Sequence, residues 1–142
     1  MMNATVNQGG DQPISTRGIV RAGVIAMIAA SVANVIVYLI GSAVGAIPDD
    51  LPSSAEEIGI PAVIFACVLT ITVATVAFWL FNRFSENPVR NFVILSGIVF
   101  VTSLTGPFTI DGASAGLIAS LLVMHVVAAG VVVLVFTRLD LR

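Results

Sequence analysis

The chain has 142 residues, 58% of them apolar and 10% charged, with a mean hydropathy of +1.08. A soluble domain is about 45–50% apolar and about 25% charged, so this chain lacks the charge to cover a water-facing surface and reads as an integral membrane protein. The net charge of −2 leaves no basic surface for nucleic acid, and the single Cys67 excludes an intramolecular disulfide and an all-cysteine metal site.

The opening MMNATVNQGGDQPIST, residues 1–16, is polar and Gly-rich. It reads as a disordered tail ahead of a membrane domain over residues 17–142. It is not a signal peptide, because the apolar run behind it exceeds the length of a signal core and no clear cleavage site follows. A helix needs about 20 apolar residues to cross about 30 Å of hydrocarbon. Four segments meet or approach that length, at about 22–46, 60–82, 89–106 and 113–137.

The arginines orient these spans. Arg17 and Arg21 precede the first, Arg83 and Arg90 bracket the link between the second and third, and Arg138 and Arg142 follow the fourth. The other two loops carry Asp49, Asp50, Glu56, Glu57 and Asp111 and no arginine. By the positive-inside rule both termini and the middle loop are cytoplasmic. Short links make successive helices antiparallel neighbours, so the expected fold is all-α, an up-down four-helix transmembrane bundle.

Local signals mark the ends. Asn87 is expected to cap span three, with Pro88 as its first helical residue. Ser53 and Glu56 form a capping-box pattern, which predicts a short interfacial helix before span two. Pro107 either ends span three or kinks it on the way to Ile110. Trp79 and Phe81 read as interfacial anchors. Two G-x-x-x-G patterns, Gly41–Gly45 and Gly112–Gly116, mark candidate helix-packing positions on spans one and four.

His125, the chain's one histidine, lies at the midpoint of span four, and Asn34 lies at the midpoint of span one. Thr70 and Thr72 fall near the centre of span two, and Thr102 and Ser103 near or just outside that of span three. Tyr38 shares a helix face with Asn34 and Gly41 at spacings of four and seven. On span four, Ile118, Leu121, Leu122, His125, Ala128, Ala129 and Val132 share another. Asn34, Tyr38, Thr70, Thr72, Thr102 and His125 therefore form a candidate polar layer at the bilayer midplane. If the two faces meet, the Asn34 amide reaches the imidazole.

Three roles for His125 stay open. It fixes helix register as a neutral, hydrogen-bonded side chain, it acts as an ionisable group in transport, or it ligates haem. One histidine with no intramembrane Asp or Glu makes a poor metal site, so no metal and no cofactor are expected. A nucleophile needs a base and an orienting group, and no such constellation accompanies the serines or Cys67, so no catalytic residue is assigned and no enzyme is expected.

The Arg-flanked first helix with its central Asn, and a last helix reading LLVMHVVAAGVVVLVFTRL, resemble a family of small uncharacterised four-span bacterial membrane proteins, notably of actinobacteria and related groups. Their last helix typically carries a Met-His or Leu-His pair before small residues. The resemblance covers the whole membrane region. It implies a bacterial cytoplasmic membrane and multi-pass insertion, and it brings no function with it.

The resulting expectation is a small polytopic membrane protein. It works as a structural or accessory module, assembling with itself or with a larger membrane complex. The alternatives are an oligomeric transporter or permeation unit built on the midplane site around Asn34 and His125, and a haem- or quinone-binding redox subunit. The lipid bilayer is its expected partner and nucleic acid is not.

Overall fold

The computed structural model describes residues 14–53, 55 and 58–138. Among these residues the chain forms four long helices, α1 (Thr16–Ala43), α2 (Ile60–Phe84), α3 (Pro88–Ser103) and α4 (Ala115–Arg138), with a 3-10 turn at Gly106–Thr109. All four spans, the third counted through its 3-10 turn, are long and apolar enough to cross a membrane. The exposed faces carry Val, Ile, Leu and Phe, as a lipid-facing surface requires.

Each boundary has a local cause. Helix α1 starts earlier than the tail reading allows. Ser15 Oγ accepts a hydrogen bond from the Gly18 amide at 2.9 Å, which satisfies one of the first-turn donors. Ile14 packs on the core, and its carbonyl accepts from Asn82 Nδ2 at 3.2 Å. The remainder of the expected tail lies outside the described residues. At the other end of α1, Gly45 sits at φ 71° and the Ala46 amide donates to Gly41 O at 2.8 Å. This is a Schellman stop, which needs a residue without a Cβ penalty at the left-handed position.

Pro61 stands in the first turn of α2, where its missing N–H is no loss. Asn87 occupies the N-cap position of α3 but makes no side-chain cap bond. Its neighbour Ser85 takes that part of the turn instead, accepting from the Asn87 amide at 3.3 Å and from Asn91 Nδ2 at 2.7 Å. Helix α3 ends at Ser103, short of Pro107, which is buried in the 3-10 turn. The chain thus turns before the proline rather than kinking at it. Ser114 Oγ accepts from the Leu117 amide at 3.1 Å and opens α4 two residues later than the apolar pattern suggests. Ser54, Glu56 and Glu57 lie outside the described residues, and the interfacial helix expected there falls with them.

Helix α1 packs closely on α2 and α4. Small residues permit this. A Cβ on Gly23 would stand 2.5 Å from Thr75 Oγ1, and a Cβ on Gly116 would stand 2.7 Å from the Ala46 carbonyl oxygen. Gly41 is similarly enclosed, by Ile47 and Ser120 at 3.1 Å. Gly45 and Gly112 do other work: both take positive φ in turns outside the helices. The two sequence patterns therefore each pair one close-approach glycine with one turn glycine.

Helix α3 stands further out. Among the described residues Phe92 is its one fully buried side chain. It closes an aromatic cluster with Phe78 of α2 and Phe136 of α4, at ring separations of 5.0 and 5.2 Å. The Phe78–Phe92 pair is edge-to-face at 86°, a geometry that the ring quadrupoles favour. This cluster sits at the arginine-bearing end. A second apolar cluster, with Ile47, Val63, Leu117 and Met124, holds the opposite end.

Candidate intramembrane binding site

Because α3 is held at Phe92 and packs less closely beyond it, a cavity of about 650 Å³ opens along the seam of α2, α3 and α4. It extends along α3 from Phe92 to Ser103. Small-molecule sites occupy about 300–1,000 Å³ and are apolar with a few placed polar groups. The wall here is of that kind. Its polar contributions come from Asn34, Cys67, Thr70, Ser96, Ser103 and His125.

Asn34 reaches the wall from α1. It is 4% exposed, and its Nδ2 donates to Cys67 Sγ on α2 at 3.3 Å. Its Oδ1 is buried and accepts no hydrogen bond among the described residues. An unsatisfied buried acceptor costs about 1–3 kcal/mol, and buried polar groups in folded proteins are nearly always paired. Asn34 is itself a lining residue of the cavity, and χ2 of asparagine is a soft torsion that can turn the oxygen toward it.

His125 is half-buried in the wall, at mid-height of α4. Its Nδ1 lies 2.7 Å from the carbonyl oxygen of Leu121, one turn back on the same helix. A carbonyl can only accept, so Nδ1 carries the hydrogen. In the neutral ring Nε2 then bears the lone pair, and it makes no hydrogen bond among the described residues.

The expected Asn34–His125 hydrogen bond is absent among the described residues. Each side chain has a nearer partner, the Cys67 sulfur for one and its own helix for the other. Asn34, Thr70 and His125 line the cavity. Tyr38, Thr72 and Thr102 do not. Tyr38 packs on the second apolar cluster. Thr72 donates to Val68 O at 2.7 Å, and Thr102 to Ile98 O and Val99 O, both on exposed helix faces. A threonine that bonds its own helix needs no polar neighbour, which is why it can face lipid.

Cys67 also takes part in the site, as the acceptor for the Asn34 amide. Ser96 and Ser103 also belong to the wall, with the Ser103 hydroxyl donating to Phe100 O at 2.7 Å. The sequence signal for Cys67 was its sulfur within an apolar run, three residues before Thr70 on α2. Among the described residues no group of three His, Cys, Asp or Glu side chains is placed to hold a metal ion.

Fold and site together define a small four-span helical membrane protein with a cavity opening along its loosest helix. The chain belongs to the family of unknown function DUF6069, whose model matches residues 14–141. No curated protein and no solved structure shows significant similarity to it.

Proposed function

We propose that this protein is an intramembrane binding unit that admits a small lipophilic molecule from the bilayer into the α2–α3–α4 cavity. The buried Asn34 oxygen, left without a partner at the wall of a cavity of about 650 Å³, carries this reading. A chain that gained nothing from a polar group there would place an apolar residue at position 34. The reading develops the midplane site around Asn34 and His125 and needs no catalytic group. The arginine distribution supports cytoplasmic termini, and the resemblance described above supports a bacterial cytoplasmic membrane.

Native mass spectrometry of protein extracted gently from its own membrane tests it. The expected spectrum shows the chain with one retained small lipophile, reduced or lost in Asn34→Leu. Retention of ordinary phospholipid alone overturns the reading. A homodimer or heteromeric complex whose partner helix fills the seam overturns it in favour of an assembly module.

A further inference from the structure

The polar groups along the cavity also specify the chemistry of its occupant, on the footing of the binding reading above. The Asn34 Nδ2 donor is engaged by Cys67, leaving the Oδ1 acceptor. The Nδ1 hydrogen of His125 is engaged by Leu121, leaving a lone pair at Nε2. The Ser103 hydroxyl hydrogen is directed to Phe100 O, leaving oxygen lone pairs. Three of the wall's polar side chains thus present acceptors, from three different helices, while the Thr70 and Ser96 hydroxyls keep hydrogens that no described residue accepts.

We infer that the cavity takes a lipophile bearing ring-borne hydroxyl groups, of the phenol or quinol class, which donates hydrogen bonds to Asn34 Oδ1 and His125 Nε2. Acyl chains carry no donor. Esters and quinone carbonyls carry acceptors only: they could answer the Thr70 and Ser96 hydroxyls but would leave the lone pairs of Asn34 and His125 unmet. A hydroxyl-bearing ring supplies the missing hydrogens, while its apolar body replaces lipid against Phe92, Phe100 and the α2 and α4 faces. Rotation of the Asn34 amide about χ2 presents the oxygen to the guest at the expense of the weak Nδ2–Cys67 contact.

The test uses three ligands of one skeleton: an alkylated hydroquinone, its dimethyl ether and the corresponding quinone. Each is titrated under anaerobic conditions into the full chain in phosphatidylcholine nanodiscs, with binding read by ligand-induced quenching of Trp79 fluorescence and by equilibrium dialysis. Each neutral hydrogen bond contributes about 0.5–1.5 kcal/mol, so the hydroquinone should bind about tenfold or more tighter than its ether or quinone. The preference should collapse in Asn34→Leu and weaken in His125→Phe, with folding of each checked by thermal melting.

The comparison among the three ligands on the unaltered chain stands even if both variants fail to fold. Equal binding of all three overturns the donor inference while the binding reading survives, because the cavity then selects by apolar contact alone. A tighter quinone overturns it by showing that the Thr70 and Ser96 hydroxyls, not the acceptors, decide what binds. Binding of none overturns the inference and, taken with native spectra showing phospholipid alone, the binding reading as well.

Discussion

The Asn34 amide nitrogen donates to the Cys67 sulfur at 3.3 Å, while the oxygen of the same amide, equally buried, has no partner among the described residues. A side chain half satisfied in this way joins α1 to α2 weakly and stores an unmet demand. A thiol is a soft, weak acceptor, and hydrogen bonds between membrane helices average about 0.6 kcal/mol. The unpaired oxygen costs more than that bond returns.

Replacing Asn34 by Leu, which is of similar size, should therefore leave the empty protein as stable or more stable, by up to about 1–2 kcal/mol. Reversible unfolding in mixed micelles measures this. A loss of more than about 1 kcal/mol would show that the oxygen finds a partner in the membrane.

The sulfur can be tested from its own side. Cys67→Ser keeps an acceptor in place and should preserve the Asn34 contact, whereas Cys67→Val removes it. The two variants should differ by about 0.5–1.5 kcal/mol. The side-chain amide proton resonance of Asn34 should move upfield in the valine variant, with a smaller change in the serine variant. Identical Asn34 signals in the two would contradict the assignment.

The glycines divide by surroundings. Gly116→Ala drives a Cβ to within 2.7 Å of the Ala46 carbonyl oxygen and 2.9 Å of its Cα, both backbone atoms that cannot swing aside. It should cost about 1–3 kcal/mol, as overpacking does. Gly130, also helical, has nothing within 4 Å of a built Cβ. Gly130→Ala should stabilise by about 0.5–1 kcal/mol through helix propensity. Thermal melting of the pair decides, and a reversed order would place a second chain against Gly130.

Phe92 should matter more to α3 than to the rest of the bundle. Phe92→Ala removes the aromatic contact to Phe78 and Phe136 and should cost about 3–5 kcal/mol. Amide exchange should rise along Pro88–Ser103 well before it rises in α1, whose contacts to α2 and α4 are untouched. Uniform acceleration across all four helices would refute the separate attachment of α3.

The four spans were legible because run length and arginine placement are independent signals that agree. Helix faces were harder to read. Val, Leu, Ile and Ala surround each span, so periodicity discriminates weakly when lipid replaces water as the outer solvent. Thr72 and Thr102 seemed to join a polar layer because polarity suggests burial, but their hydroxyls are satisfied by their own helices and they face outward. The inward face of α4 was better marked. Of the stripe Ile118, Leu121, Leu122, His125, Ala128, Ala129 and Val132, all but Ile118 and Leu122 line the cavity, and Met124 joins them there. The cavity itself left no local trace, because it depends on how far α3 stands from its neighbours, a property of packing between segments distant in sequence.

The attachment of α3 through Phe92 also bears on the order in which the molecule is made. The ring's partners are Phe78, which precedes it in the chain, and Phe136, which follows it by more than forty residues. When α3 emerges from the ribosome its anchor is half built, and it is completed by the final turns of α4. Helix α1 likewise waits for α4 to cover its second face. Helix α4 is therefore the one that closes the four-helix structure, and a chain released before residue 136 would hold its third helix by one aromatic contact.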